Sequence, residues 1–411
     1  MPTIHITTPT GLQNMNNDLT ADYILDNNLD MTGVTWVPVG TNSDASHRFT
    51  GTFDGQNFTI SNLTYDDTVP ALNLGGLFGY VQSGTIQNLI LQNIKITSGQ
   101  AFGSLCGYAV TTTGNALTIT NVTANTVTLI NNGVGSVFEY GGLIGYCFGK
   151  HGYPLTISAC SVNGVTINCS SSGDASVGGF IGECDIDSAI ADSVITNCYA
   201  KGVSITAVAS SSAIGGFLGF GQGTISQCYA SGTVTGVNSE GGGFVGELLN
   251  TYSVKNCYAN VNVTGDNVSD LQLGGFVGYM SGGAADIIQN CYATGNIVGG
   301  STGLYMGGFI GEIAATASTV QNCYSVGIVT GNSAALSGIG GFIGRLDNLT
   351  NTISNCAEWT GAASFALGLL PNNTQSSLAT QTYGTDEPNN TNFYSKTHAV
   401  YTGGTPWSFV N

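Results

Sequence analysis

Positive charge is nearly missing from this chain: seven Lys and Arg stand against 24 Asp and Glu in 411 residues, a formal net charge of −17. Nucleic acid and anionic membrane surfaces are held through basic patches, so both are excluded as partners. No run of eighteen apolar residues occurs, which excludes a transmembrane helix and membrane insertion by one. The opening Met1 to Thr10 has neither the basic end nor the apolar core of a signal peptide. The expectation is a leader already removed, or exit by another route, for example inside a virus particle. Cys-x-x-Cys is missing too, which argues against a structural zinc site. The four His (His5, His47, His151, His398) share no motif, so neither a catalytic triad nor a His-based metal site is supported. Charged residues make up only 8%, but the mean hydropathy is +0.18. Disorder pairs low hydropathy with high net charge density, so this chain is read as folded.

What is present is repetition. Gly-Gly-Phe-Ile-Gly and its close variants start at Gly75, Gly103, Gly141, Gly178, Gly215, Gly242, Gly274, Gly307 and Gly340, at spacings of 27 to 38 residues. A second phrase, Asn-Cys-Tyr-Ala, follows at Asn197, Asn256 and Asn290 with variants elsewhere, and Thr-Val-Thr-Gly types such as Thr233 to Gly236 close several units. Self-similarity at a short period marks a repeat array, whose core grows along one axis.

The unit Gly242 to Gly265 gives the expected coil. Strand alternation turns Phe244 inward and puts Val245 and a wet Glu247 on the other face. The inward column then runs Leu77, Leu105, Leu143, Phe180, Phe217, Phe244, Phe276, Phe309 and Phe342. Val254 and Cys257 are three apart, so the chain must bend near Asn256, a residue type that tolerates left-handed backbone and can bond coil to coil. Val261 and Val263 form a third short strand. The expected fold is all-β: a right-handed parallel β-helix with three short strands per coil. Its units are residues 1–74 as N-terminal cap and first coils, 75–357 as the repeat solenoid, and 358–411 as an irregular cover or attachment tail. Seven cysteines at one place in the repeat (Cys160, Cys198, Cys228, Cys257, Cys291, Cys323, Cys356) read as a buried column of small apolar side chains. Cys106, Cys147, Cys169 and Cys184 lie outside it, and a disulfide among them stays open.

Gly11-Leu12-Gln13, Tyr23-Ile24-Leu25, Trp36-Val37-Pro38-Val39-Gly40, Phe53-Asp54-Gly55 and Ile60-Ser61-Asn62-Leu63 resemble the entry region of GLUG-motif proteins. Gly75-Gly-Leu-Phe-Gly79 and Gly141-Gly-Leu-Ile-Gly145 resemble the GLUG motif itself. The resemblance runs to about Asn355. It implies an adhesin-like surface or secreted polypeptide on a right-handed parallel β-helix of the pectin-lyase type, and no catalytic residue.

Several residues invite a sharper reading. Glu183, Asp185, Asp187 and Asp192 are the densest acidic cluster, with Glu183, Asp185 and Asp187 as a weak cation candidate against a solvated loop. Glu183, Glu247 and Glu312 share the position after the Gly phrase, with Phe220 and Tyr279 between them. Paired carboxylates serve glycoside hydrolysis, but solvated rim charges are the simpler reading. Tyr199, Tyr229, Tyr258, Tyr292 and Tyr324 form an outward ladder, as a weak glycan-stacking candidate or as self-supporting stacked rings. Thr-x-Thr pairs such as Thr233/Thr235 suggest flat ice-binding faces but recur irregularly. The residue after each inward Phe or Leu is also apolar: Phe78, Cys106, Ile144, Ile181, Leu218, Val245, Val277, Ile310, Ile343. Strands apolar on both faces are covered on both, here by corner loops, a flanking segment or another subunit, and the expectation is that the stripe supports lateral self-association into a fibre or small oligomer. Nine N-x-Ser/Thr sequons from Asn57 to Asn389 could carry glycan only on a eukaryotic secretory route.

The expected function is a non-enzymatic structural or adhesive β-solenoid outside the cell, on a cell surface, extracellular fibre or virus particle. Its expected partners are itself or a surface glycan or protein, and no cofactor is expected. The rival is a polysaccharide-binding or polysaccharide-degrading protein on the same scaffold.

Overall fold

The computed structural model describes residues 3–358 and 367–369, apart from 42–43, 68–73, 132–136, 171–172, 187–192, 208–210, 250–252, 267–269, 283–285, 301–303, 332–337, 349 and 355. Asp187, Asp192, His398, the sequons at Asn267, Asn372 and Asn389, and most of the 358–411 tail lie outside the described residues. Within the tail, Leu367–Leu369 adds one more strand beside Ile343–Leu346.

All the strand pairs are parallel and join residues one coil apart, in three sheets of 24, 9 and 10 strands. The chain is a parallel β-helix. Its route is clearest in the unit from Glu240. Glu240–Gly242 lies in the nine-stranded sheet, Val245–Leu249 in the ten-stranded sheet, and Ser253–Lys255 and Tyr258–Gly265 in the largest sheet. We call these the second, third and first sheet. Asn256 stands between the two first-sheet strands at φ 56°. The same left-handed conformation recurs at Asn88, Asn121, Asn197, Asn290 and Asn322, and it bends the sheet where alternation fails. The bends also bond along the rod: Asn290 Nδ2 donates to Asn256 Oδ1 at 3.0 Å, and Asn322 Nδ2 to Asn290 Oδ1 at 3.0 Å.

The Gly phrase departs from the expected single strand. Gly243 and Phe244 form a bend, not a strand, and the chain changes sheet there. The cause is visible at Gly242, where a Cβ would land on the Val245 carbonyl oxygen. Gly246 in turn lies against the Ala213–Ile214 backbone of the preceding coil. Because alternation restarts after the bend, Phe244 and Val245 both enter the core, each 0% exposed. The self-association stripe is therefore corrected. Phe78, Ile144, Ile181, Leu218, Val245, Val277, Ile310 and Ile343 are all fully buried in the protein's own core, as is Cys106. Two apolar neighbours mark a corner here, not a two-faced strand.

Stacked columns fill that core. Phe180, Phe217, Phe244, Phe276, Phe309 and Phe342 lie ring on ring at 4.8–4.9 Å, within 11° of parallel. That matches the coil spacing of about 4.8 Å, and each pair is worth about 0.5–1.5 kcal/mol beyond its burial. The seven periodic cysteines are buried thiols in no disulfide, and so are Cys106, Cys147, Cys169 and Cys184. Each periodic thiol meets the carbonyl two residues before it, as Cys257 Sγ does Lys255 O at 3.2 Å. Burial raises the Cys160, Cys257 and Cys323 thiols well above the usual range.

The N-terminal end is closed by a distinct first unit. Ile4–Ile6 pairs with Tyr23–Leu25, which pairs with Thr52–Asp54. Between the first two, a helix at Pro9–Gln13 and a 3-10 turn at Asn14–Asn17 bury Leu12 and Met15 over the core. Thr8 caps the helix by accepting from Gly11 N at 3.1 Å. Trp36 to Gly40 contributes only a bridge from Val39 to Phe78 rather than a strand, and Trp36 Nε1 donates to Gly76 O at 3.1 Å.

Candidate functional site

The bend at the Gly phrase has a geometric result. The outer faces of the second and third sheets turn toward each other, and the vertex points into the core. Ser176 and Glu183 show this. They stand on opposite sides of the bend at Gly179–Phe180, yet Ser176 Oγ donates to Glu183 Oε2 at 2.9 Å. Leu74 and Ala101 of the second sheet form a small cluster with Tyr80 of the third, separate from the main core. The two outer faces meet in a re-entrant corner, called the groove below, that runs along the rod between these two sheets.

Register places one row of side chains on each wall. On the third sheet the order is Tyr80, Tyr108, Tyr146, Glu183, Phe220, Glu247, Tyr279, Glu312, Arg345. On the second it is Ala101, Glu139, Ser176, Ala213, Glu240, Gln272, Tyr305. Phe220 and Tyr279 do separate the three glutamates, as the repeat arithmetic required. These glutamates are not solvated rim charges, however. Glu312 is 4% exposed and Glu183 and Glu247 are half-buried. Only Glu312 has a cation at hand: Arg345 Nη1 sits 3.4 Å from Glu312 Oε1, and Gln272 Nε2 donates to Glu312 Oε2 at 3.1 Å. Ser281 Oγ donates to Glu247 Oε1 at 2.6 Å.

Burial sets the electrostatics. It raises Glu139 to about 8, with the Glu183 and Asp185 carboxylates adding to the effect. It also raises Glu183 to about 7, against the Ser176 bond, and Glu240 to about 7, against a bond from Ser239. Glu247 and Glu312 move the same way. These groups hold protons in the folded chain that the unfolded chain has released, so their contribution to stability is complete near pH 4.5 and is lost as pH rises toward 8. Thermal midpoints should therefore fall from roughly pH 5 to 9, and Glu139→Gln should flatten the upper part of that slope. A midpoint that climbs across this window contradicts the groove electrostatics.

The other candidates resolve differently. Asp185 accepts from Tyr146 Oη at 3.2 Å, and Asp187 lies outside the described residues. No group of three metal-ligating side chains occurs among the described residues. Tyr199, Tyr229, Tyr258, Tyr292 and Tyr324 stack at 4.7–5.0 Å within 7° of parallel. Their faces are occupied by one another, and Tyr292 and Tyr324 are buried, so the ladder is no open platform for sugar rings. Thr206, Thr235 and Thr264 do align in register, but Val298 follows them in the column.

Sequence reasoning missed Glu139 and Glu240, and with them Tyr80, Tyr108 and Tyr146. A signal existed: Glu139, Ser176, Glu240, Gln272 and Tyr305 all stand two residues before a Gly phrase.

A family profile described as the GLUG motif matches residues 210–235 and 269–298. Halomucin of Haloquadratum walsbyi is 36% identical over 110 residues, 26% of this chain, and the chain spans 1% of that protein's length. Among solved structures, a protein of Bacteroides ovatus provisionally assigned as an immunoglobulin A1 protease aligns over 86% of this chain and 84% of its own, at 16% identity and a TM-score of 0.45. An IgA1 protease aligns over 86% of this chain and 21% of its own, at 17% identity and a TM-score of 0.41.

Proposed function

We propose that this GLUG-repeat β-helix is a non-enzymatic structural and adhesive rod, displayed outside the cell on a cell surface, extracellular fibre or virus particle. One observation carries this reading. The side-chain columns run in register through successive coils from the cap to Phe342, so the chain is a stiff rod with long flanks. A rod of this kind holds a binding flank away from the surface that bears it. The groove between the second and third sheets is the flank best suited to attachment, because it combines tyrosines with carboxyl groups. Its partner on this reading is a surface glycan or protein. Self-association through the apolar stripe is set aside, since that stripe is internal. The halomucin match supports a place outside the cell.

A second reading rests on the glutamates. Glu183 and Glu247 lie two coils apart, roughly 9.6 Å along the stack, at the upper edge of the ~6.5–9.5 Å separation of inverting glycosidases. A glycan array with a reducing-sugar assay separates the two. Saturable retention without turnover supports attachment, and release of reducing ends makes the chain a polysaccharide-degrading enzyme. Antibody labelling of intact source cells or particles tests display: signal only after lysis contradicts it.

A further inference from the structure

One carboxyl oxygen in the groove is left over. Glu139 is 6% exposed, and its Oε2 has no hydrogen-bond partner. An unpaired buried carboxyl oxygen costs free energy comparable to a lost hydrogen bond or more, so its presence calls for an occupant. Its surroundings say which kind. Glu139 and Tyr146 stand across the bend from each other as Ser176 and Glu183 do, seven residues apart in each case. Tyr108 and Tyr146 pack edge to face at 5.1 Å and 81°, and both are half-buried. Glu183, on the next coil, and Asp185, bonded to Tyr146, add two more carboxylates. Among the described residues no Lys or Arg lies within ion-pair distance of Glu139, Glu183 or Asp185; the groove's paired guanidinium, Arg345, serves Glu312 and Asp347.

We infer that this stretch of the groove is a binding site for a primary ammonium group, with Glu139 Oε2 as the floor acceptor and Tyr108 and Tyr146 as the walls. An alkylammonium suits it. The charged head supplies N–H donors to Glu139 and counter-charge to Glu183 and Asp185, while the apolar stem lies against tyrosine rings that favour cations at their faces. A bare divalent metal suits it less, since Ca²⁺ requires six to eight oxygens. The site goes beyond the attachment reading and does not depend on it, because it can be occupied by a free amine.

Binding must move a proton. Glu139 is held neutral by burial and by the carboxylates of Glu183 and Asp185 facing it from the third sheet. An ammonium beside it favours the carboxylate, so occupancy releases a proton to solvent and affinity rises with pH between about 6 and 8.

The test is isothermal titration of the full chain with 1,4-diaminobutane, alongside 1,4-butanediol and calcium chloride at matched ionic strength. The wild type is run in two buffers of different ionisation enthalpy. The expected result is one saturable site for the diamine, none for the diol, and proton release on binding. Glu139→Gln should weaken binding tenfold or more, while Asp266→Asn, an exposed charge change outside the groove, should leave it within twofold. Equal binding by Glu139→Gln, binding of the diol, preference for calcium, no diamine binding, or binding without proton release each overturns the inference. The last four are read on wild-type protein, so the outcome stands even if the glutamine variant fails to fold.

Discussion

Truncating Phe244 to alanine should lower the stability of the rod by about 3–5 kcal/mol, the range for removing a fully buried Phe. The ring is 0% exposed and stacks on Phe217 at 4.8 Å and on Phe276 at 4.8 Å. Its removal therefore leaves a cavity and two half-stacked neighbours. The backbone around it cannot collapse inward, because Phe244 N and O are bonded to Phe276 and Phe217 in the adjacent coils. Urea denaturation followed by circular dichroism gives the shift. A loss below about 1 kcal/mol would mean that the column is loosely packed and that the core lies elsewhere.

Gly242→Ala tests the corner instead of the core, and its effect should be of the same size or larger, about 4 kcal/mol or more. The added methyl would sit on the Val245 carbonyl oxygen and against Gly278 N of the next coil. All of these are backbone atoms, so no side-chain rotation relieves the clash. Relief requires opening the bend, which would separate the second and third sheets over several coils. Limited proteolysis should then cut near Gly243, where the wild type resists. An alanine variant as stable and as protease-resistant as wild type would show that the phrase does not fold as described.

These two residues also show how far the fold could be read from the chain. The period, the inward Phe column, the cysteine column and the bend at Asn256 all follow from side-chain spacing, and the structure contains each of them. The groove does not follow from spacing. It depends on the bend at Gly243–Phe244, which arises from backbone packing around Gly242 and Gly246 and leaves no apolar–polar signature. Treating Gly242 to Glu247 as one straight strand put Val245 outside and Glu247 in water. With the bend, Val245 turns inward and Glu247 faces a second wall. Burial of Glu139 and Glu312 was out of reach for the same reason, since the groups that desolvate them belong to another sheet.

The bend is the central claim, and cross-linking across it is the most direct measurement. In a Ser176→Cys/Glu183→Cys double variant, a short bis-methanethiosulfonate should bridge the two thiols in the native protein, with the linked peptide identified by mass spectrometry. The native cysteines described here are all buried and should stay unmodified. Were residues 176 to 183 one extended strand, their Cα atoms would lie about 23 Å apart. Efficient bridging is the result expected here, and two singly modified thiols with no bridge would contradict it.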